Sequence, residues 1–373
     1  MKVGRVITIA ALLLAAAGWQ GHLSAGDSPP GAKASPSTPS EGEAKLTYEA
    51  SDKMVSIFTP RKLVEKVGFQ IFSAKGTLNI CGKKVAILGV VAGRQVGFGM
   101  DLTGKGTVET SELQPVTGKP MLFRLKQENK KEFAVVVDRC QVTSFSDGTM
   151  RLSGDYYAAC GFKTMINRTQ IRIIDDNMDG KITQDGKDAI AIGNSVCAQP
   201  FYKIHQIGGS FYEIKVAKDM SSLTYTKLDD VSPVKLTSPL LKNNILRALV
   251  LIDESTGQAF DAVGCKSGIP AGDYSLAYGA LEAGRDVVII KPGKGMKKIS
   301  VSEGSSDLGL GKPLKLLFTG YVAGDKVEVY PDVQIVGAAG EIYQPDFGST
   351  SGRPVVTQSE GNKVISQKPM EFG

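Results

Sequence analysis

Leu78-Asn79-Ile80-Cys81-Gly82-Lys83-Lys84-Val85-Ala86-Ile87-Leu88-Gly89-Val90-Val91 decides the fold class. Two aliphatic, β-branched runs flank the break Gly82-Lys83-Lys84, the pattern of two antiparallel strands joined by a turn. The same grammar repeats outward along the chain. Phe133-Ala134-Val135-Val136-Val137 fits a buried strand, and Ser146-Asp147-Gly148 is a hairpin signal. Tyr212-Glu213-Ile214-Lys215-Val216 alternates as a half-buried strand does, and Asp219-Met220-Ser221-Ser222 turns it into Leu223-Thr224-Tyr225-Thr226. Val64 to Phe72 and Ser238 to Leu251 carry mixed signals that fit short helical turns, and no long amphipathic helix is legible. With 43 glycines and 17 prolines in 373 residues, many short elements joined by turns are expected, and 42% hydrophobic residues suffice for a core in each of two domains. The expected class is mainly β, with two antiparallel β domains.

The N-terminus reads as an address. Lys2 and Arg5 precede an apolar run from Val6 to Ala17, and Leu23-Ser24-Ala25 offers a small-residue cleavage site. Residues 1–25 are expected to be a secretory signal peptide, because the run is too short to span a bilayer. Residues 26–43 carry Ser28-Pro29-Pro30-Gly31 and Ser35-Pro36-Ser37-Thr38-Pro39-Ser40, a linker expected to be disordered. The expected location is secreted or periplasmic, with no membrane span in the mature chain. The net charge is +6, but lysines and arginines are scattered, with no basic stripe and no interleaved aromatics, so nucleic acid is not an expected partner.

A first domain is expected over 44–230. The span from Asp229 to Asn244, with Pro233 and Pro239, has little periodicity and marks the boundary. The second domain, 240–373, brings Ala248-Leu249-Val250-Leu251-Ile252-Asp253, the turn Ser255-Thr256-Gly257, and Ile269-Pro270-Ala271-Gly272-Asp273-Tyr274 leading into another strand. Val287-Val288-Ile289-Ile290 and Val327-Glu328-Val329-Tyr330 follow. Strand-sized runs at this spacing suggest a sandwich. An apolar strand ending in an acid, then Thr256-Gly257 and Pro270-Ala271-Gly272-Asp273-Tyr274, resembles the prealbumin-like or carboxypeptidase-regulatory (Ig-like) β-sandwich modules. The whole layout also resembles uncharacterised secreted bacterial β-rich proteins. Those share an Asp-x-Asn-x-Asp-Gly loop, a Phe-Tyr-Glu strand (Phe211-Tyr212-Glu213) and a segment like Gly340-Glu341-Ile342-Tyr343-Gln344-Pro345. That resemblance implies export and a β fold, and no chemistry.

The chemistry lies in Ile171-Arg172-Ile173-Ile174-Asp175-Asp176-Asn177-Met178-Asp179-Gly180-Lys181-Ile182. Asp175, Asn177 and Asp179 occupy alternate positions, as in the first half of a calcium-binding EF-hand loop. The Lys181 carbonyl would follow as a further ligand. Position 12 of such a loop is a bidentate Glu, and here it is Gly186; Asp185 or Asp188 would have to supply the carboxylate. The flank Ile171 to Ile174 is a strand rather than a helix. A plain polar turn, in which Asp and Asn bond their own backbone, is the competing reading. A poorer match, Asp101 to Glu112, places Lys105 where a ligand belongs, and reads as a metal-free turn.

Catalysis has little support. His205 is the one histidine beyond the signal, set in an alternating stretch that suits a core or surface residue. No His-Glu-x-x-His or Gly-x-Ser-x-Gly occurs. The five cysteines are Cys81, Cys140, Cys160, Cys197 and Cys265. At least one disulfide among the first four is expected in an exported chain, with Cys265 left over. The functional expectation is a non-catalytic binding or structural protein of the cell envelope with a structural calcium loop and an unidentified envelope or extracellular ligand. The alternative is a hydrolase with an unrecognised carboxylate pair.

Overall fold

The computed structural model describes residues 6–10, 40–50, 57–65, 68–126, 132–242, 245–283, 286–317, 320–323, 326–329, 334–346, 355–360 and 363–369. Most of the signal segment and of the 26–43 linker lies outside these residues; Val6–Ala10 is a strand paired with Val355–Glu360. The fold is mainly β, built of several antiparallel sheets. No helix among the described residues is long and apolar enough to cross a membrane.

The opening hairpin forms as expected, with a tighter turn. Lys75–Ile80 pairs with Lys83–Ala92, and only Cys81 and Gly82 bridge them. Both have positive φ, 51° and 70°, as a two-residue turn matching strand twist requires. Gln95–Met100 and Leu113–Pro115 complete this four-stranded sheet. It packs on a second sheet, ordered Gly68–Ile71, Met150–Ala158, Glu132–Ser144, Met121–Lys126. Phe133 to Val137 are all buried, so both faces of this strand are covered, as their uniform apolarity demands. A bulge between Asp138 and Gln141, with Arg139 at φ 50°, bends the central strand.

Two further sheets carry the acidic loop. One runs Gln199–Pro200, Ala189–Ile192, Thr169–Ile174, Cys160–Ile166, Thr47–Ala50; the other runs Ile204–Ile207, Ser210–Val216, Ser222–Lys227, Glu41–Lys45. Residues 41–43, read as the end of a linker, are instead part of the edge strand Glu41–Lys45. The strand Ser222–Lys227 offers backbone partners there, and Ala44 and Leu46 reach a shared core with Leu223 and Tyr212.

Beyond residue 245 the largest sheet runs Ala259–Asp261, Leu246–Asp253, Gly272–Ala283, Asp286–Lys291, Ile342–Asp346, Gln334–Val336, Lys315–Leu317, with Ile299–Val301 also pairing Gly272–Ala283. Its apolar faces do not stop at the expected boundary. Leu63 and Cys197 pack with Ala248, Val250, Ala259 and Tyr278, and Phe211 packs with Leu249, Leu251 and Phe260. Buried polar contacts cross as well. Tyr278 donates to the Ala198 carbonyl at 2.8 Å, Gln206 Nε2 donates to the Gly268 carbonyl at 2.9 Å, and Gln199 Oε1 accepts the Asp261 amide at 3.0 Å.

The expected disulfide is absent: all five cysteines are thiols. They are spread over separate elements. Cys81 lies in a hairpin turn, Cys140 within a bulge, Cys160 at a strand start, Cys197 against a different core, and Cys265 in the last third of the chain. Burial pushes the Cys140 and Cys197 thiols up to about 12, and Cys160 to about 11, as for small apolar core residues.

Candidate metal loop

Strand Thr169–Ile174 delivers the loop. Ile171 and Ile173 point into one core, Ile174 into another, and Arg172 donates to the carbonyls of Gly193 and Ser195. The strand is thus pinned on both faces, and Asp175 emerges from it only 7% exposed. The returning strand is Ala189–Ile192, so residues 175–188 form the long connection of a β-hairpin.

Several outside contacts hold this connection. The Cys81 amide donates to the Met178 carbonyl at 2.7 Å, and the Gly186 amide to the Phe201 carbonyl at 3.1 Å. Gln184 Nε2 reaches the carbonyls of Tyr202 and Ile214. Asp176, which the sequence did not single out, is buried and accepts the Arg61 amide at 2.9 Å, while its carbonyl accepts Arg61 Nη1 at 3.1 Å. Nothing in the local sequence linked Arg61 to a residue 115 positions away.

Inside the loop the first half has the expected turn geometry. Asp175 Oδ2 accepts the Gly180 amide at 2.8 Å and Oδ1 the Asp179 amide at 3.1 Å. Asn177 Oδ1 accepts the Asp179 amide, Asn177 Nδ2 donates to Asp179 Oδ2, and Asp179 Oδ1 accepts the Lys181 amide. Among the described residues no three carboxylate, histidine or cysteine side chains are gathered closely enough to hold an ion as they stand. Asp175 Oδ1 and Asn177 Oδ1 meet at the Asp179 amide, so the loop's own amides engage the oxygens that were expected to converge on an ion. Each carboxylate oxygen bonded to one amide keeps a lone pair.

The second half separates the two candidates for the missing carboxylate. Asp185 is exposed, pairs with Lys187 at 2.9 Å and accepts the Thr183 hydroxyl; these bonds hold its carboxyl down at about 2. Asp188 is fully buried. Its Oδ2 accepts the Thr183 amide at 2.6 Å, and its Oδ1 is buried with no hydrogen-bond partner. Burial first, then the charges of Asp175 and Asp179, push Asp188 up to about 7. Burial and Asp179 push Asp175 to about 6. Asp188 thus lies buried where the charges of Asp175 and Asp179 reach it, whereas Asp185 is exposed and paired with Lys187. Gly186, at φ 83°, disfavours the Glu of an EF-hand: a Cβ there would lie 2.3 Å from Tyr202 Oη, so the Tyr202 ring would have to move.

The Asp101 loop shows the contrast. Asp101 accepts the amides of Thr103, Gly104 and Lys105 on Oδ1 and that of Gly106 on Oδ2. Burial works against its charge, but these amides outweigh it and hold the carboxyl below its usual range. Glu112 caps the amides of Leu102 and Glu109. That loop neutralises its acids with backbone donors; the Asp175 loop leaves part of its charge uncompensated.

A cleft of about 470 Å³ opens beside the acidic loop, with Tyr48, Cys160, Asp175, Lys181 and Met220 on its walls. His205 is fully buried, stacked on Phe201 at 5.7 Å, with Nε2 bonded to the Tyr202 carbonyl. It is a core residue. No protein-family model matches the chain, and neither curated proteins nor solved structures give a match.

Proposed function

We propose that this chain is an exported, non-catalytic binding or structural protein of the cell envelope, with calcium held at the Asp175–Asp188 loop as a structural ion. The carrying observation is Asp188, a carboxylate with no exposure and one oxygen without a donor, within electrostatic reach of Asp175 and Asp179. A buried, uncompensated carboxylate is costly, and a hard cation offsets that cost directly. Asp175, Asn177, Asp179, the Lys181 carbonyl and Asp188 would hold the ion after a modest turn of the exposed Asp179 inward. Its role is structural, since the ligands come from one local loop. Equilibrium dialysis with calcium tests this: wild type binds one ion in the ~10⁻⁴–10⁻³ M range of extracellular modules, and Asp175→Ala does not. Equal uptake by both proteins contradicts it.

Residues 1–25 are taken as a cleaved signal, so N-terminal sequencing of the exported protein should begin near Gly26. A chain still starting at Met1 contradicts this. The part from 240 onward is taken as an Ig-like module; support comes from Tyr274, whose hydroxyl donates to the Pro270 carbonyl four residues upstream at 2.8 Å, a corner bond of the kind such sandwiches use.

A further inference from the structure

Exposed large hydrophobic side chains are not evenly spread. Of the seven among the described residues, three sit at one end of the first sandwich: Phe72 (73% exposed), Phe145 (42%) and Val91 (37%). The pairing register shows that they are neighbours. Ile71 faces Leu152, so Phe72 falls beside Arg151, and the Arg151 guanidinium lies 5.9 Å from the Phe145 ring centre. A Cβ on Gly89, two residues before Val91, would touch Leu152 and Val142, which brings the Val91 strand end to the same level. The connections 72–74, 92–94 and 145–149 thus emerge together as three convex tips.

The charges around these tips have one dominant sign. Lys75 and Arg94 are exposed at the strand ends beside Phe72 and Val91. Lys119 is exposed in the turn that follows the Val116–Val96 backbone bond, at the same end. With Arg151 that makes four cations. The single acid of these connections, Asp147, is occupied by the amide and hydroxyl of Thr149. The tip backbone is also largely self-satisfied: Phe145 N bonds the Thr149 carbonyl, Gly148 N the Phe145 carbonyl, and Gly89 N the Ala74 carbonyl. Apolar rings on convex loops, flanked by cations and with their amides already bonded, suit the headgroup layer of a bilayer rather than the concave counterpart a protein partner needs.

We propose that this end of the first sandwich, led by Phe72 and Phe145 and ringed by Lys75, Arg94, Lys119 and Arg151, docks on an anionic lipid surface. It gives the envelope role a partner and does not depend on calcium. The two rings enter the acyl boundary, and the cations rest among the anionic headgroups.

The test is made on the full chain, in EDTA, so that the acidic loop plays no part. A single tryptophan reporter is placed by Phe72→Trp or, as a control on another sheet, by Met165→Trp, an exposed site, with Trp19→Phe added because the chain tested retains residues 1–25. Vesicles of phosphatidylcholine with and without ~30% phosphatidylglycerol carry brominated acyl chains. Expected is a blue-shifted emission at position 72, quenched at least about two-fold more than at 165, only with the anionic lipid. The double variant Arg94→Glu with Lys119→Glu, well exposed and outside the core, should cut that quenching about five-fold or more. Equal quenching at 72 and 165, no quenching at 72, or indifference to phosphatidylglycerol overturns the proposal. Because the reporter reads the tip itself, attachment through the N-terminal apolar run cannot mimic a positive result.

Discussion

Thr183 donates its amide to Asp188 Oδ2 at 2.6 Å, while Asp188 Oδ1 faces the interior with no donor at all. The fold holds one half of this carboxylate and leaves the other half uncompensated. Removing the charge while keeping the acceptor should therefore help the metal-free protein. Asp188→Asn is expected to raise stability without calcium at pH 8 by on the order of 1–3 kcal/mol and to abolish the response to calcium. Urea unfolding with and without calcium checks both. A variant less stable than wild type in EDTA, or one still stabilised by calcium, would contradict the assignment.

Gly186 separates geometry from consensus. A Glu there would restore the EF-hand pattern on paper, yet φ is 83° and Tyr202 Oη occupies the side-chain space. Gly186→Glu is expected to cost about 1–3 kcal/mol and to leave calcium affinity no tighter. Tighter binding in dialysis would show that Asp188 is not the closing ligand.

His205 fixes a pH dependence. Burial lowers its basicity to about 4, against an ordinary 6.5. The unfolded chain therefore binds a proton at a higher pH than the folded one does. Stability from this residue is complete above pH 6.5 and is lost as pH falls toward 4, by up to about 3 kcal/mol. Asp175 and Asp188 act in the opposite sense, because their folded-state values are raised and the metal-free fold takes up protons on acidification. The His205 share is isolated as the difference between wild type and His205→Gln across this window. An unchanged difference from pH 7 to pH 4.5 would rule it out.

Gln199 ties the two parts of the chain together. Its Oε1 accepts the buried Asp261 amide, and Tyr278 reaches the Ala198 carbonyl beside it. Gln199→Ala leaves a buried amide unpaired and is expected to cost about 1–3 kcal/mol. Calorimetry of wild type should then show a single transition, since the same contacts couple both parts. Two well-separated transitions would argue that this interface carries little.

Much of this architecture could be read from the sequence, because strands announce themselves through alternation and turn residues. The hairpin at residues 75–92, the buried run Phe133 to Val137 and the strand before Asp175 are of this kind. What stayed hidden was long-range. That Asp176 caps Arg61, that Asp188 rather than Asp185 turns inward, and that Gly186 must stay bare beneath Tyr202 depend on residues brought together only by folding. Cysteine count suggested a disulfide, but a bridge needs Cβ atoms about 3.5–4.5 Å apart, and spacing along a chain says nothing about that. The strand Glu41–Lys45 was hidden by the Pro/Ser composition of the residues before it.

The most direct test is thermal unfolding of the exported protein in EDTA and then in ~10 mM calcium, with magnesium as control. At a calcium concentration 100 times the dissociation constant, linkage contributes about 2.7 kcal/mol, an upward shift of roughly 2–5 °C for a chain of this size. The account predicts that shift in wild type, with none from magnesium and none in Asp175→Ala. An unchanged wild-type midpoint at ~10 mM calcium would mean that residues 175–188 are only a turn.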